Sequence, residues 1–221
     1  MLEPAFWRAE EGTREAAPLT RALLSPLSWL YGWGGAWRIA RATPYDPGVP
    51  VICVGNLTLG GAGKTPVVAA LRARLSEGGL RAASLSRGYG GSERAIRLVH
   101  PADRASRVGD EPALLARSGE SWIGRDRAAA GAAMAADGVN VIVMDDGHQN
   151  PSLKKTLSLV VIDTGDPFGN GRVFPAGPLR ETVARGLARA DAVVLMGDGP
   201  SPDALSGYSG PVLRAILQPL R

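Results

Sequence analysis

From residue 51 onward the chain alternates short apolar runs with stretches of helical spacing. The runs "VICV" (51–54), "LRAASLS" (80–86), "AIRLV" (95–99), "VNVIVMD" (139–145), "TLSLVVID" (156–163) and "DAVVLM" (191–196) predict strands. Between them, helices are predicted over roughly 64–77 (ended by Gly78-Gly79), 110–117, 125–136 and a short stretch near 181–189. The strand runs are apolar at consecutive positions rather than at alternate ones, so both faces are buried. This pattern predicts a mainly parallel sheet with helices on both faces, an α/β fold. No internal repeat is evident.

The first 50 residues follow a different rule. Four of the five tryptophans (Trp7, Trp29, Trp33, Trp37) fall there, and "ALLSPLSWLYGWGGAW" (22–37) carries no charge between Arg21 and Arg38. Its length falls short of the ~20 apolar residues that span a bilayer, and Pro26 with three glycines is expected to spoil a spanning helix. Trp and Tyr favour the membrane interface, and flanking arginines suit anionic headgroups. A membrane-dipping amphipathic segment over 1–43 is one expectation; a helix packed on the domain's own core is the other. "ATPYDPGVP" (42–50) reads as a linker into a domain over 44–210. The tail "GPVLRAILQPLR" (210–221) is strand-like and stops at Arg221, as if the chain were the front part of something longer. Residues 211–221 would then begin a linker to a further domain.

Composition narrows the chemistry. At 221 residues and 45% apolar, the chain can bury a full α/β core. A net charge of +4 with both signs interspersed is too mild for nucleic acid, though it suits an anionic ligand or a membrane surface. The lone Cys53 cannot form an internal disulfide and lies in an apolar run, which reads as a core thiol in a reducing compartment. Two histidines (His100, His148) are too few for a His-rich metal site. No secretory signal is recognisable. Of 25 basic residues only three are lysines (Lys64, Lys154, Lys155), so a lysine inside a glycine loop stands out.

That lysine sits in "VICVGNLTLGGAGKTP" (51–66). A phosphate cradle needs a buried strand, a turn whose N–H groups converge, and a helix start whose dipole points inward. All are legible: Gly60, Gly61 and Gly63 permit close approach, Lys64 can reach the β- and γ-phosphates, and Thr65 can offer its hydroxyl to Mg²⁺. The strict pattern G-x-x-x-x-G-K-[ST] fails at one position, where Thr58 replaces the first glycine. The candidate nucleotide loop is therefore Thr58, Leu59, Gly60, Gly61, Ala62, Gly63, Lys64 and Thr65, in a P-loop NTPase-like fold.

Such a loop needs carboxylates at the end of a neighbouring strand. "VIVMDDGHQN" supplies Asp145 and Asp146, whose mutual repulsion makes Mg²⁺ the natural partner. "GDEP" places Asp110 and Glu111 at a helix start, where capping accounts for one acid; a kinase of alcohols also needs a carboxylate to accept the hydroxyl proton. "SRGYGG" (86–91) holds Arg87 and Tyr89 among glycines, a sugar- or phosphate-contacting loop. In "GNGRVFPAGPLRE" (169–181), Arg172 or Arg180 can stabilise phosphate charge.

Taken in order, "FW", "LLSPLSWLYGW", "VPVICVGNLTLGGAGKTP", "SLSRGYGG", "VGDEPALLAR", "GRDR", "DDGHQN" and "FGNGRVFPAGPLRE" resemble the tetraacyldisaccharide 4′-kinase family across essentially all 221 residues. The combination is far more specific than any one motif, and the family also tolerates a non-glycine at the Thr58 position. The resemblance implies an ATP- and Mg²⁺-dependent kinase on the cytoplasmic face of a Gram-negative inner membrane. It would transfer the γ-phosphoryl group to the 4′-hydroxyl of a tetraacylated disaccharide 1-phosphate in lipid A biosynthesis. Its partners would be the lipid disaccharide and the membrane surface, with no nucleic acid and no protein partner implied. Thr58 to Thr65 would hold ATP; Thr65, Asp145 and Asp146 the metal; Asp110 would be the base, with Lys64 and Asp146 catalytic. Arg87, Tyr89, Gln149, Asn150 and Arg180 would face the substrate. Family members are longer, so this chain would be an incomplete form. Two rivals share part of the pattern. A partition-type ATPase switch has a signature lysine where this chain has Leu59, and a non-catalytic nucleotide- or lipid-binding module is favoured only if the chain naturally ends at this length.

Overall fold

A computed structural model of the chain describes residues 3–9 and 17–218. In chain order its main elements are α1 (Pro18–Arg41), β1 (Val51–Gly55), α2 (Lys64–Glu77), β2 (Ala82–Ser86), β3 (Arg97–Leu98), α3 (Ala105–Val108), α4 (Asp110–Ala116) and β4 (Ser121–Ile123). Then follow α5 (Arg127–Ala136), β5 (Val141–Asp145), β6 (Leu157–Asp163), α6 (Val183–Leu187), β7 (Ala192–Met196) and β8 (Val212–Ala215). They form two compact units, one of Ala42–Gly55 with Lys64–Leu159, the other of the remaining segments, including Asn56–Gly63.

In the first unit the strand order is β3-β4-β2-β5-β1. The β4–β2, β2–β5 and β5–β1 pairs are parallel and β3–β4 is antiparallel. The register aligns Val51, Ala83 and Leu85 with Ile142 and Met144, and these side chains share one core with Ala130 and Met134 of α5. The alternate positions, Ser84, Ser86, Val143 and Asp145, therefore point to the opposite face. There α2 packs, and Arg72 of α2 donates to Ser84 Oγ at 3.1 Å. Helices thus cover both faces, as the consecutive apolar runs require. Arg72 is buried without a carboxylate; the Glu120 and Leu115 carbonyls and the Ser118 hydroxyl accept its other N–H groups, which makes that burial tolerable.

The second unit orders its strands β6-β7-β8, with β7 and β8 parallel. Its core joins Leu57, Val160, Ile162, Leu179, Leu187, Val193 and Leu195.

Several expectations change. The run 95–99 yields only Arg97–Leu98, and β4 was not expected at all; it is three residues long, too short to display a period. A short helix, α3, precedes the one expected at 110–117. Pro26 does not break α1, which runs for 24 residues, about 36 Å at 1.5 Å per residue. Even so, no helix among the described residues is long and apolar enough to cross a membrane. The burial of α1 is inverted: its buried residues are Arg21 and Ser28, while Trp29 and Trp33 are 69% and 55% exposed. Core packing of these tryptophans is thereby excluded in the chain as it stands; only Trp7 of the N-terminal four is buried, donating its indole N–H to the Pro175 carbonyl at 3.0 Å. Residues 1–2, 10–16 and 219–221 of the expected terminal segments lie outside the described residues.

Cys53 lies in β1, fully buried, and that burial pushes its thiol up to about 11. Its alkylation by iodoacetamide at pH 8 should be at least ~10²-fold slower in the folded chain than in denaturant, because thiolate and access are both suppressed. Comparable rates in the two conditions would place Cys53 at the surface.

Candidate active site

The position of the lysine follows from local structure. β1 ends at Gly55, the loop 56–63 turns, and α2 begins at Lys64. Gly60 and Gly63 adopt φ of 122° and 75°, conformations that side chains resist. A Cβ on Gly61 would meet nothing within 4 Å, so that stretch of backbone faces open space. Thr58 shows no positive φ; it forms an antiparallel bridge with Leu179. A glycine is not needed where the chain is held extended by a partner strand, which explains how this loop dispenses with it.

In the first unit Lys64 is nearly buried and its ammonium lies 3.5 Å from Asp146 Oδ1. Asp145 closes β5 on the face that α2 covers, so the side chain is 1% exposed. Ser86 Oγ is 3.4 Å from its Oδ2, and its Oδ1 has no hydrogen-bond partner among the described residues. The Asp145 carboxyl is raised from 3.8 to about 7, first by burial, then by the charges of Glu111 and Asp146, with Lys64 and Arg127 acting in the opposite sense. Asp146 has φ of 52°, a left-handed conformation that aspartate tolerates better than most residues but that still costs about 1 kcal/mol or more. A buried, orphaned carboxylate oxygen among further carboxylates fits a divalent cation. Among the described residues no group of three His, Cys, Asp or Glu is arranged to hold a metal alone. At nucleotide sites Mg²⁺ is generally held by one or two carboxylates together with phosphates and water. Thr65, half-buried in the first turn of α2, offers the hydroxyl.

Sequence reading missed Arg127. It opens α5 behind the Asp126 cap, is almost fully buried, and donates to the Gly124 carbonyl. Burial lowers it to about 10, while Asp145 and Asp146 pull it upward and Arg87 pushes it down. The signal was present in "GRDR", but surface arginines are common and nothing local marks this one as buried. Glu111 has a part beyond helix capping, since its charge acts on Asp145 ahead of that of Asp146. Asp110 is exposed at the first position of α4, after Gly109 (φ 97°), where a Cβ would lie 2.5 Å from the Tyr89 carbonyl oxygen.

The other substrate-side residues are less gathered. Tyr89 is 83% exposed, Arg87 is exposed, and Gln149 is half-buried. Asn150 closes a turn, its side-chain oxygen accepting from the Ser152 N–H (2.8 Å) and hydroxyl (2.7 Å). In the second unit, Arg180 donates its Nε–H to the Thr58 carbonyl at 3.1 Å. His148 is a core residue, 3.0 Å from Ser158 Oγ.

A near-buried lysine opening the helix after a glycine loop, paired with an aspartate at the C-terminal end of a parallel strand, is the working part of P-loop phosphotransferases. Comparison with known proteins narrows the class. The sequence model of the tetraacyldisaccharide-1-P 4′-kinase family matches residues 20–220. Tetraacyldisaccharide 4′-kinases from Hyphomonas neptunium and Maricaulis maris are 61% and 56% identical to the chain over its whole length. The crystal structure of LpxK from Aquifex aeolicus in complex with ATP superposes with a TM-score of 0.73 at 29% identity, covering 88% of this chain and 64% of that one. The chain belongs to the tetraacyldisaccharide 4′-kinase family, whose members are phosphotransferases with an alcohol group as acceptor. It spans about two thirds of the length of the curated relatives it matches, 67% in both cases above.

Proposed function

We propose that this chain carries the phosphate-binding and metal-binding part of an ATP-dependent kinase that phosphorylates the 4′-hydroxyl of a tetraacyldisaccharide 1-phosphate in lipid A biosynthesis. The observation that carries the reading is Lys64, nearly buried and 3.5 Å from Asp146, the residue after Asp145, whose buried Oδ1 accepts no hydrogen bond among the described residues. The loop 58–63 runs into Lys64 through a single peptide bond. Its amides would donate to the polyphosphate, and Lys64 would exchange Asp146 for a phosphate oxygen. Thr65, Asp145 and Asp146 would hold Mg²⁺, which when bound would supply positive charge against that of the phosphates. Asp110 would accept the proton of the attacking hydroxyl, its exposure leaving it open to a substrate. Arg87, Tyr89, Gln149, Asn150 and Arg180 would orient the disaccharide.

The exposed face of α1 supports a membrane role for residues 1–43, with residues 44–210 as the kinase domain. Leu19, Leu23, Trp29, Trp33 and Trp37 are all exposed, and Arg38 and Arg41 lie in the last turn. Apolar and aromatic side chains beside arginines are the composition of an interfacial helix, here on the cytoplasmic face of the inner membrane. Each indole buried in the interface is worth roughly 1.5 kcal/mol, so Trp29→Ala and Trp33→Ala should each weaken partitioning onto anionic vesicles about tenfold. Sedimentation with phosphatidylglycerol vesicles measures this, and unchanged partitioning would remove the membrane role of α1.

The activity is tested by incubating the 221-residue chain, and a full-length relative in parallel, with γ-labelled ATP, Mg²⁺ and the tetraacyldisaccharide 1-phosphate in detergent micelles. Label on the 4′-oxygen, or Mg·ATP binding that requires Lys64, supports the reading. Lipid-independent ATP hydrolysis, or no ATP binding, contradicts it.

A further inference from the structure

The motif "GNGRVFPAGPLRE" has no role in the chemistry above beyond Arg180, yet its last residues run along the start of the nucleotide loop. The Leu59 N–H donates to the Pro178 carbonyl at 2.7 Å, and the Arg180 N–H donates to the Leu57 carbonyl at 2.8 Å. Thr58 and Leu179 bridge between them, and the Arg180 side chain reaches the Thr58 carbonyl at 3.1 Å. Backbone that would otherwise need a glycine's freedom is held as a short piece of sheet.

That short strand is itself fixed by one side chain. Asn170 Nδ2 donates to the carbonyls of Phe6 (3.1 Å) and Ala176 (3.0 Å), while its Oδ1 accepts from the Arg172 N–H at 3.0 Å. Its own N–H donates to the Trp7 carbonyl at 2.6 Å. A Cβ on Gly177 would come within 2.1 Å of Asn170 Oδ1, so the amide occupies the space that any other residue at 177 would claim. At the far end Arg189 grips Glu181 with two bonds of 2.8 and 2.7 Å. Both amide protons of the asparagine side chain and its oxygen thus bond backbone groups, one of them in Phe6 and two within 172–176.

We propose that the segment 170–181 is a splint for the nucleotide loop, taking the place of the missing first glycine, and that Asn170 is the positioning residue that sets it. The proposal rests on the nucleotide reading of that loop. Asn170 acts through Pro178, Leu179 and Arg180 on the backbone of Leu57 to Leu59, and so on the amides that follow. Loss of its side chain unties three backbone groups at once, and the loop amides lose their alignment before the rest of the fold responds.

The test compares the unsubstituted 221-residue chain with Asn170→Ala, Arg189→Ala and Lys64→Ala. Amide hydrogen exchange of Leu59 and Arg180, Mg·ATP affinity by titration calorimetry, and thermal unfolding are measured. In Asn170→Ala, exchange at Leu59 and Arg180 should accelerate more than tenfold and Kd for Mg·ATP rise about tenfold, with β2 and β5 amides as protected as before. Arg189→Ala should move both readouts in the same direction by about threefold; it decides the matter alone if Asn170→Ala does not fold. Unchanged exchange at Leu59 and Arg180, or faster exchange with unaltered affinity, overturns the proposal. ATP binding lost in Lys64→Ala yet intact in the splint variants overturns it alone. An unsubstituted chain that binds no ATP overturns the nucleotide reading and the splint together.

Discussion

Lys64→Ala should weaken Mg·ATP binding by about 10²–10³-fold, the usual cost of removing one partner of a desolvated charge pair. The variant should also lose phosphoryl transfer wherever the unsubstituted chain supports it. The size of the effect follows from burial. Lys64 is nearly inaccessible and held 3.5 Å from Asp146, so no water-exposed cation can take over its charge. Its loss also leaves Asp145 with less opposing charge, since Lys64 is one of two cations holding that carboxyl down. The metal-free variant should therefore be less stable at pH 8 than at pH 5. Calorimetric titration and a thermal unfolding series measure both, and affinity within threefold of the unsubstituted chain would mean that Lys64 does not touch phosphate.

Asp145→Asn should have the opposite effect on stability and the same effect on function. Unfolded, Asp145 titrates near 3.9; folded, it is raised to about 7. Between those values the folded chain holds the extra proton, so stability falls as pH rises through that window. The deficit is complete above pH 7 and is of the order of 4 kcal/mol. The amide has no charge to bury, so the metal-free Asn variant should be more stable than the parent at pH 8 by up to that amount. At about pH 3.5, below the unfolded value, where the carboxyl is mostly protonated in both states, the two should be nearly equal. Mg²⁺ with ATP should stabilise the parent at pH 8 and do little for the variant, which is also expected to lose transfer. Equal unfolding midpoints at pH 8 would mean that Asp145 does not carry a buried charge, and with it the metal-site assignment would fall.

These two residues were legible from the chain alone because their signals are local. A strand, a glycine turn and a helix start occupy 51–77 without interruption, and the aspartates end an unbroken apolar run. What was not legible is long-range. Thr58 is accommodated by Leu179, more than a hundred positions away, and no local pattern announces that bridge. Arg127 reads like any of the 22 arginines until α5 carries it beneath the site. β4 lacks the length for a period, and its burial comes from pairing with β2 and β3. The N-terminal segment misleads in another way. Its apolar composition does not show which side chains face inward, and the structure buries Arg21 and Ser28 while leaving Trp29, Trp33 and Trp37 exposed. A proline ordinarily breaks a helix interior, yet α1 continues through Pro26, with Ser25 and Ser28 hydroxyls donating to the carbonyls of Arg21 and Leu24.

The central claim is that the amides of residues 60–63 and the ammonium of Lys64 hold a nucleotide's polyphosphate. A crystal of the chain grown with Mg²⁺ and a non-hydrolysable ATP analogue measures it most directly. The account predicts β- and γ-phosphate oxygens within hydrogen-bonding distance of those amides and of Lys64 Nζ, with the metal between them and Asp145 or Asp146. An analogue bound elsewhere, with Lys64 still on Asp146 and the glycine loop bare, would contradict it.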